Sequence, residues 1–273
     1  ALKENLKLRA SFAQGYRGPQ AFDEDLHIET VGGAARFIRL GSDLDVERSN
    51  SASLSVNYDK FIGKNQMNFV VEGFYTHLNN PFIFTNQEEL PSSVAVITKR
   101  NGDGAAVSGV NIEANIAFGS NFILQSGATI QTALYDIEEE LWTPEAPSKD
   151  IPTTTSNRLL RTPNAYGYFS LVYNPTEALA LSYSGVITGS MKVPHVVDME
   201  TEQTIIETTP TFFENNLKVA YTLRKEKHSK VELFGGVQNI FNSYQNDFDT
   251  GASRDAGYIY GPIRPRIFFM GLK

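Results

Sequence analysis

Cysteine is absent from this chain of 273 residues, which excludes a disulfide framework and zinc sites built on cysteine thiolates. Long apolar runs are absent as well, because no stretch approaches the roughly 18 uninterrupted apolar residues that a membrane-spanning helix needs. A basic excess is also lacking, since 31 acidic residues outnumber 24 lysines and arginines and leave a net charge of −7. This acidity argues against a general nucleic-acid-binding protein.

The first residues carry no export signal. Residues 1–4 (Ala-Leu-Lys-Glu) contain no basic segment followed by an apolar core and a small-residue cleavage site. An alternation of apolar and polar residues is already running at Leu6, Leu8, Ala10 and Phe12. We therefore expect a fragment that begins at a strand, with any export signal further upstream.

What the chain has in abundance is apolar–polar alternation with a period of two, which places apolar side chains on one face of a β-strand. The stretch from Met67 to Tyr75 is a clear example. Ten such stretches predict strands near residues 4–14, 47–60, 66–80, 104–118, 122–135, 162–174, 178–192, 211–223, 229–242 and 259–273.

The connections between these strands alternate in length. Short connections lie at 61–65, 119–121, 174–177 and 224–228, and long ones lie at 15–46, 81–103, 136–161, 193–210 and 243–258. Short periplasmic turns and long extracellular loops are typical of outer-membrane barrels. The pattern predicts an all-β fold, an antiparallel transmembrane β-barrel surrounded by lipid. A soluble β-sandwich is the alternative. Against it, the predicted strands are longer than the roughly five or six residues of usual sandwich strands, and aromatic residues gather near the strand ends, as they do at membrane interfaces.

Several short motifs resemble those of TonB-dependent outer-membrane receptors. Near the start, residues 15–19 resemble the aromatic-Arg-Ala-Pro box of that family, and residues 41–49 resemble its later Asn-Pro-Asn-Leu…Glu-x-Ser box. Residues 109–113 resemble its Gly-x-Glu strand, and residues 161–163 its Arg-x-Pro motif. Two C-terminal segments resemble the penultimate strand and the approach to the last strand. The motif residues are Tyr16, Arg17, Pro19, Leu44, Glu47, Asn239, Phe241, Tyr244, Tyr260, Gly261, Pro262 and Arg266.

The resemblance covers the whole chain in the family's order, and its wording is most similar to receptors of the Bacteroidetes. It implies a plugged barrel of about 22 strands, of which residues 1–273 would form about the C-terminal half of the barrel domain. The plug domain and the segment that contacts TonB would lie upstream. Phe268, Met270 and Leu272 alternate at the end of the chain, so we expect one further aromatic residue after Lys273.

The resemblance implies a receptor in the Gram-negative outer membrane for TonB-energised uptake of a scarce nutrient. Ferric siderophore, haem and cobalamin remain open as cargo. The implied partners are TonB, the plug domain, the nutrient, membrane lipid and a surface lipoprotein, with no nucleic acid and no resident cofactor. A passive porin or structural barrel is the alternative. An enzyme is disfavoured, because the four histidines are scattered and no catalytic set or metal-ligand spacing is present.

Three loop residues are candidates for ligand contact. His27 lies between the two N-terminal boxes, where haem receptors of the family carry a histidine ligand, and imidazole is a common axial ligand of haem iron. Trp142 follows an acidic run at 136–140, and Asp247 lies in an oxygen-rich segment that lacks the spacing of a calcium loop. Charged residues within the strands are expected to point into the lumen: Lys7, Arg9, Glu72, Glu113, Lys218 and Glu232.

Overall fold

The computed structural model describes residues 4–20, 36–89, 95–144, 146–147, 151–225, 229–252 and 254–273. Within these ranges, no helix is long and apolar enough to cross a membrane. The described chain forms the following strands: β1 (Leu6–Arg17), β2 (Arg36–Leu40), β3 (Glu47–Ile62), β4 (Asn65–Asn79), β5 (Phe82–Glu89), β6 (Ala95–Asn101), β7 (Ala105–Phe118), β8 (Phe122–Trp142), β9 (Thr154–Arg158), β10 (Ala165–Tyr173), β11 (Leu179–Thr188), β12 (Lys192–Asp198), β13 (Gln203–Thr208), β14 (Phe212–Lys225), β15 (Lys230–Gln238) and β16 (Ile267–Leu272).

Ten of these strands form one large antiparallel sheet in the order β1-β3-β4-β7-β8-β10-β11-β14-β15-β16, with β9 added beside β8. Each of the ten overlaps one strand predicted from the alternation, so the all-β, antiparallel prediction is confirmed. The ladders are long and regular. That between β3 and β4 runs without interruption from the Arg48–Asn79 pair to the Ile62–Asn65 pair.

Short turns join neighbouring strands at one end of the strands. We call this rim of the sheet the turn edge. Gly63 and Lys64 alone separate β3 from β4, and Gly63 takes a φ of 59°, a left-handed conformation that glycine adopts without steric cost. Gly119 does the same between β7 and β8, with a φ of 57°. The strand order places every long connection at the opposite edge, which we call the loop edge.

The register separates an apolar face from a polar face. On the apolar face, Val71 of β4 lies between Val56 of β3 and Ile112 of β7. Half of the Val71 side chain stays accessible, at 48%, as expected for a surface that lipid covers. In the neighbouring row of the same face, Val110 of β7 pairs with Ile130 of β8, which is 65% exposed. One face of the sheet is therefore apolar without being packed against another layer of protein.

The polar face carries rows of hydrogen bonds that cross several strands. Ser11 lies 2.8 Å from Ser53, and the Ser53 hydroxyl donates to Glu72 over 3.3 Å. Asn111 donates to the other Glu72 oxygen over 3.1 Å, and Thr129 donates to Asn111 over 2.8 Å. The row thus links β1, β3, β4, β7 and β8. Both oxygens of the Glu72 carboxylate are therefore hydrogen-bonded by side chains of the sheet itself.

The register places all six charged residues that were expected in the lumen on this polar face: Lys7, Arg9, Glu72, Glu113, Lys218 and Glu232. Several have partners within the wall. Lys7 binds Asp59 over 3.1 Å, and Glu232 binds Lys230. Exposing such a charge to lipid near the midplane costs about 2–4 kcal/mol, so this choice of face is strongly favoured.

Several predicted boundaries differ from the structure at the loop edge, by more than four residues in the two cases that follow. The acidic run at 136–140 was expected in a loop, but it lies within β8, which continues to Trp142 because β9 pairs with its extension. Residues 259–266 were expected in the last strand, but β16 begins only at Ile267. The preceding residues instead form backbone hydrogen bonds with the segment after β15, such as Gln245 N to Pro262 O at 2.8 Å.

Candidate ligand-binding region at the loop edge

The long connections fold into secondary structure of their own. Strands β12 and β13 form a hairpin in the connection between β11 and β14. Strands β2, β6 and β5 form a separate three-stranded sheet, in which β2 and β6 are parallel. The sequence did not predict these strands, because they are short and lack sustained alternation. They give the loop edge a framework on which side chains can be held.

The two N-terminal boxes meet at the loop end of β1 and β3. Arg17 pairs with Glu47 in the ladder, and their side chains form an ion pair of 3.2 Å. Glu47 also accepts the backbone N–H of Phe82 over 3.1 Å, and the Arg17 guanidinium lies 5.1 Å from the Phe82 ring centre. Lys99 lies 4.8 Å from the same ring. The cluster ties β5 and β6 to the main sheet.

Other residues of these boxes are placed differently. Tyr16 is 86% exposed, so its ring is available to solvent or a partner. Pro19 is exposed, whereas Leu44 is half-buried close to the end of β2.

The Asn239 motif forms a tight turn directly after β15. Asn239 is 3% exposed with a φ of 49°, and Asn242 has a φ of 55°. The Asn239 amide donates to the carbonyls of Ser243 and Arg264 at 3.1 and 2.9 Å, and its oxygen accepts the Ser243 N–H at 2.9 Å. The Arg266 N–H donates to Asn242 over 2.8 Å. The turn thereby holds the chain that leads into β16.

Phe241 lies within this turn, and Tyr244 follows it. Phe241 is 62% exposed, and its ring lies 5.8 Å from that of Phe213 on the apolar face. Tyr244 is half-buried.

A buried glutamine organises the segment that follows. Gln245 is 1% exposed, and its side chain donates to the Tyr258 carbonyl and accepts the N–H groups of Tyr260 and Gly261 at 3.0, 2.8 and 3.1 Å. A Cβ on Gly261 would lie 2.5 Å from the Phe212 ring, so this close approach requires glycine. The Tyr260 hydroxyl donates to Asp247. No pattern along the chain pointed to Gln245.

A histidine that the sequence analysis treated as one of four scattered residues lies at the centre of a polar cluster. His195 Nδ1 lies 2.7 Å from Glu207, and its Nε2 lies 3.1 Å from Asp249. The Tyr258 ring stacks on the imidazole at 3.7 Å and 14°, and its hydroxyl donates to Glu207 over 3.1 Å. These four residues, His195, Glu207, Asp249 and Tyr258, are called the His195 cluster.

The cluster shifts the ionisation of its members. Burial opposes the charged imidazole, but hydrogen bonds and charge interactions with Glu207 and Asp249 raise the pKa of His195. Burial raises the pKa of Asp249, but hydrogen bonds from the Asp255 N–H and His195 outweigh it and lower that pKa. Burial and the Glu207 carboxylate raise the pKa of Tyr258 to about 12. The tyrosine is therefore neutral and the aspartate ionised near neutral pH.

A cavity of about 240 Å³ lies nearby at the loop edge. Two cations, Arg158 and Lys192, line it together with hydroxyl groups and one amide, and no carboxylate does. Arg158 lies 3.5 Å from the Asn164 amide oxygen, and Lys192 hydrogen-bonds Thr208. Within the described part of the chain, neither cation forms an ion pair. Such a cavity suits an anionic group.

Comparison with known protein families shows to which family this chain belongs. The family model described as TonB dependent receptor-like, beta-barrel, matches residues 1–240. The chain belongs to this family. The predicted membership of the TonB-dependent receptors and the predicted fold are thereby confirmed, and so is the localisation, because the family's barrels lie in the outer membrane of Gram-negative cells. The apolar face is the surface that lipid covers.

Solved structures of receptors share the fold at low sequence identity. The ferric enterobactin receptor PfeA of Pseudomonas aeruginosa aligns with 99% of this chain and 38% of its own, at 17% identity and a TM-score of 0.60. The siderophore receptor PirA of Acinetobacter baumannii aligns with 100% of this chain and 39% of its own, at 13% identity and a TM-score of 0.64. FpvA of Pseudomonas aeruginosa, bound to pyoverdines, aligns with 100% of this chain and 31% of its own, at 12% identity and a TM-score of 0.66. No curated protein matches the sequence. The chain thus spans less than two fifths of these receptors.

Two of the three candidate ligand contacts lie in the described residues of this family member, and each of the two has a different partner. His27 lies outside the described residues. Trp142 is half-buried and donates to the Thr201 carbonyl over 3.0 Å, which ties the end of β8 to the β12–β13 hairpin. Asp247 is exposed and accepts the Tyr260 hydroxyl. Among the described residues, no group of three or more acidic or histidine side chains is arranged to hold a metal ion.

Proposed function

We propose that this chain forms part of the wall and loop edge of a receptor for TonB-energised uptake of a ferric siderophore. The observation that supports the proposal is the fold. Over essentially its whole length the chain matches the ferric enterobactin receptor PfeA, the siderophore receptor PirA, and FpvA, whose structure holds bound pyoverdine. Haem and cobalamin are the other cargoes that the motifs left open, and no described residue favours them.

The contribution of the chain to this function is structural at the turn edge and selective at the loop edge. Loops held on a rigid scaffold are the usual carriers of binding specificity. The cavity beside Arg158 and Lys192 would contact an anionic group of the chelate. In the complete receptor, the plug domain would meet the polar face, TonB would act through the plug, and a surface lipoprotein would meet the loops.

The proposal is tested in an iron-starved Gram-negative strain from which the gene of the full receptor is deleted. Single ferric siderophores, haem or cobalamin are supplied in turn, and uptake of the labelled compound is measured with and without the restored receptor. We expect the restored receptor to increase uptake of one ferric siderophore at least tenfold, and we expect the increase to vanish when TonB is also deleted.

The control strain separates this proposal from the alternative of a passive porin. Uptake that depends on the receptor but persists without TonB would identify a porin-like barrel. Increased uptake of haem or cobalamin alone would keep energised transport and reject the siderophore as cargo.

A further inference from the structure

The His195 cluster joins two separate parts of the loop edge. His195 and Glu207 belong to the β12–β13 hairpin, whereas Asp249 and Tyr258 belong to the segment 243–266, of which residue 253 is not described. A second contact supports the same junction, because the Asp255 carboxylate accepts the Val196 N–H over 2.9 Å. The hairpin and the segment are thus held together chiefly around one imidazole ring.

Both nitrogens of that ring face carboxylate oxygens. A neutral imidazole has one N–H donor and one lone pair, whereas the protonated ring has two donors. Distances of 2.7 Å to Glu207 and 3.1 Å to Asp249 are hydrogen-bond lengths on both sides. Neutral His195 would direct a lone pair at one of the two carboxylates. Two hydrogen-bond distances to carboxylates therefore favour the imidazolium form, in which both nitrogens donate.

The charged and titratable groups around the ring favour the same form. Glu207 on β13 and Asp249 in the segment 243–266 contact its two nitrogens, and the neutral Tyr258 ring stacks on its face. Aromatic stacking on a cation adds further attraction. Asp255 donates its N–H to Asp249 over 3.0 Å.

Three other ionisable groups in or beside the two segments have partners elsewhere. Asp247 binds the Tyr260 hydroxyl, Lys192 binds Thr208, and Arg161 binds the carbonyls of Gly257 and Ile259 at 2.7 and 2.9 Å. No cation other than the imidazolium is placed against the two carboxylates in the described residues.

We propose that the His195 cluster is a pH-sensitive contact that holds the β12–β13 hairpin against the segment 243–266 while His195 is protonated and releases it when His195 is neutral. This inference goes beyond the proposed function, because it concerns the position of the loops in the absence of any ligand. It makes the loop edge most closed in acidic surroundings.

The sign of the effect follows from the ionisation of the ring. The pKa of His195 is raised above its ordinary value of 6.5 when the contact is formed. A raised pKa means that the protonated ring stabilises the closed arrangement fully below pH 6.5. The stabilisation is lost as the pH rises through the higher pKa of the closed arrangement. Opening is therefore expected on the alkaline side of the usual histidine titration.

The test measures the distance between the two segments in the complete, ligand-free receptor. This chain holds no cysteine, so, once any cysteine elsewhere in the complete receptor is replaced, spin labels can be attached through Val197→Cys and Ala252→Cys at two exposed positions. Pulsed electron–electron double resonance spectra are recorded between about pH 5 and about pH 9, a range that brackets histidine titration. We expect a narrow, short distance distribution at the acidic end and a broader, longer one at the alkaline end.

Two variants make the result specific to His195. Glutamine cannot be protonated, so His195→Gln should give a distribution that does not change with pH. His77→Gln serves as the matched control, because His77 also contacts a carboxylate, Asp136 at 2.8 Å, but lies at the end of β4. It should retain the change of the parent. A parent distribution that is constant with pH, or a His195→Gln variant that still changes, would overturn the proposal.

Discussion

At the scale of single residues, two neighbours in β14 show how strictly the sheet separates its faces. Val219 lies on the apolar face between Leu181 of β11 and Gly235 of β15, and it is 39% exposed to the lipid side. Lys218 lies on the polar face, where its ammonium group is 4.8 Å from the centre of the Phe234 ring. A single step along the chain therefore changes the medium from lipid to lumen.

The first prediction compares a change at each position. Val219→Arg should greatly reduce the amount of assembled barrel, because an arginine on the lipid face costs about 2–4 kcal/mol near the midplane. Lys218→Ala should leave assembly close to that of the parent, since it removes only an exposed cation–π contact of about 0.5–1 kcal/mol. Assembly is measured as the heat-modifiable fraction in outer-membrane preparations of the full receptor. Equal effects of the two substitutions would mean that the assignment of the two faces is wrong.

At the scale of elements, the spanning strands could be predicted from the sequence and the loop strands could not. β4 is 15 residues long and carries the alternation from Met67 to Tyr75, because lipid on one side and a polar lumen on the other impose that period on the sequence. The β12–β13 hairpin has seven and six residues and no such boundary condition. Its position depends on side chains distant in sequence, and the role of His195 was therefore missed.

The Asn239 turn connects β15 with the chain that enters β16, and it gives the second prediction. Asn239→Ala removes buried hydrogen-bond partners, at about 1–3 kcal/mol, and places alanine in a left-handed conformation, at about 1–2 kcal/mol. The substitution should increase proteolytic cleavage within 243–266 in the folded receptor. Asn239→Gly relieves only the backbone, so its effect should be smaller.

Asn246→Ala is the control for this turn, because Asn246 is exposed in the same segment. It should cleave at the parental rate. If Asn239→Ala were no more sensitive than Asn246→Ala, the turn would not be what holds the segment in place.

At the scale of the whole molecule, the charge distribution matters more than the net charge. The chain carries −7 overall, which would repel an anionic chelate at long range if charge were spread evenly. The loop edge nevertheless contains a cavity with two cations and no carboxylate. The family identity was within reach of the sequence, because its motifs are local. This cavity was not, because Arg158 and Lys192 are brought together by β9 and β12, two strands that only the fold reveals.

The last prediction concerns that cavity in the complete receptor. The double substitution Arg158→Ala and Lys192→Ala should weaken binding of an anionic ferric siderophore about tenfold, since loss of about 1.4 kcal/mol changes affinity by that factor. The dissociation constant is measured by fluorescence quenching at low and high salt, and the difference between parent and variant should shrink as salt screens the charges. Lys64→Ala, which removes a positive charge at the turn edge, should bind like the parent. An unchanged affinity in the double variant would show that the ligand does not contact these cations, while leaving the receptor fold and its family membership intact.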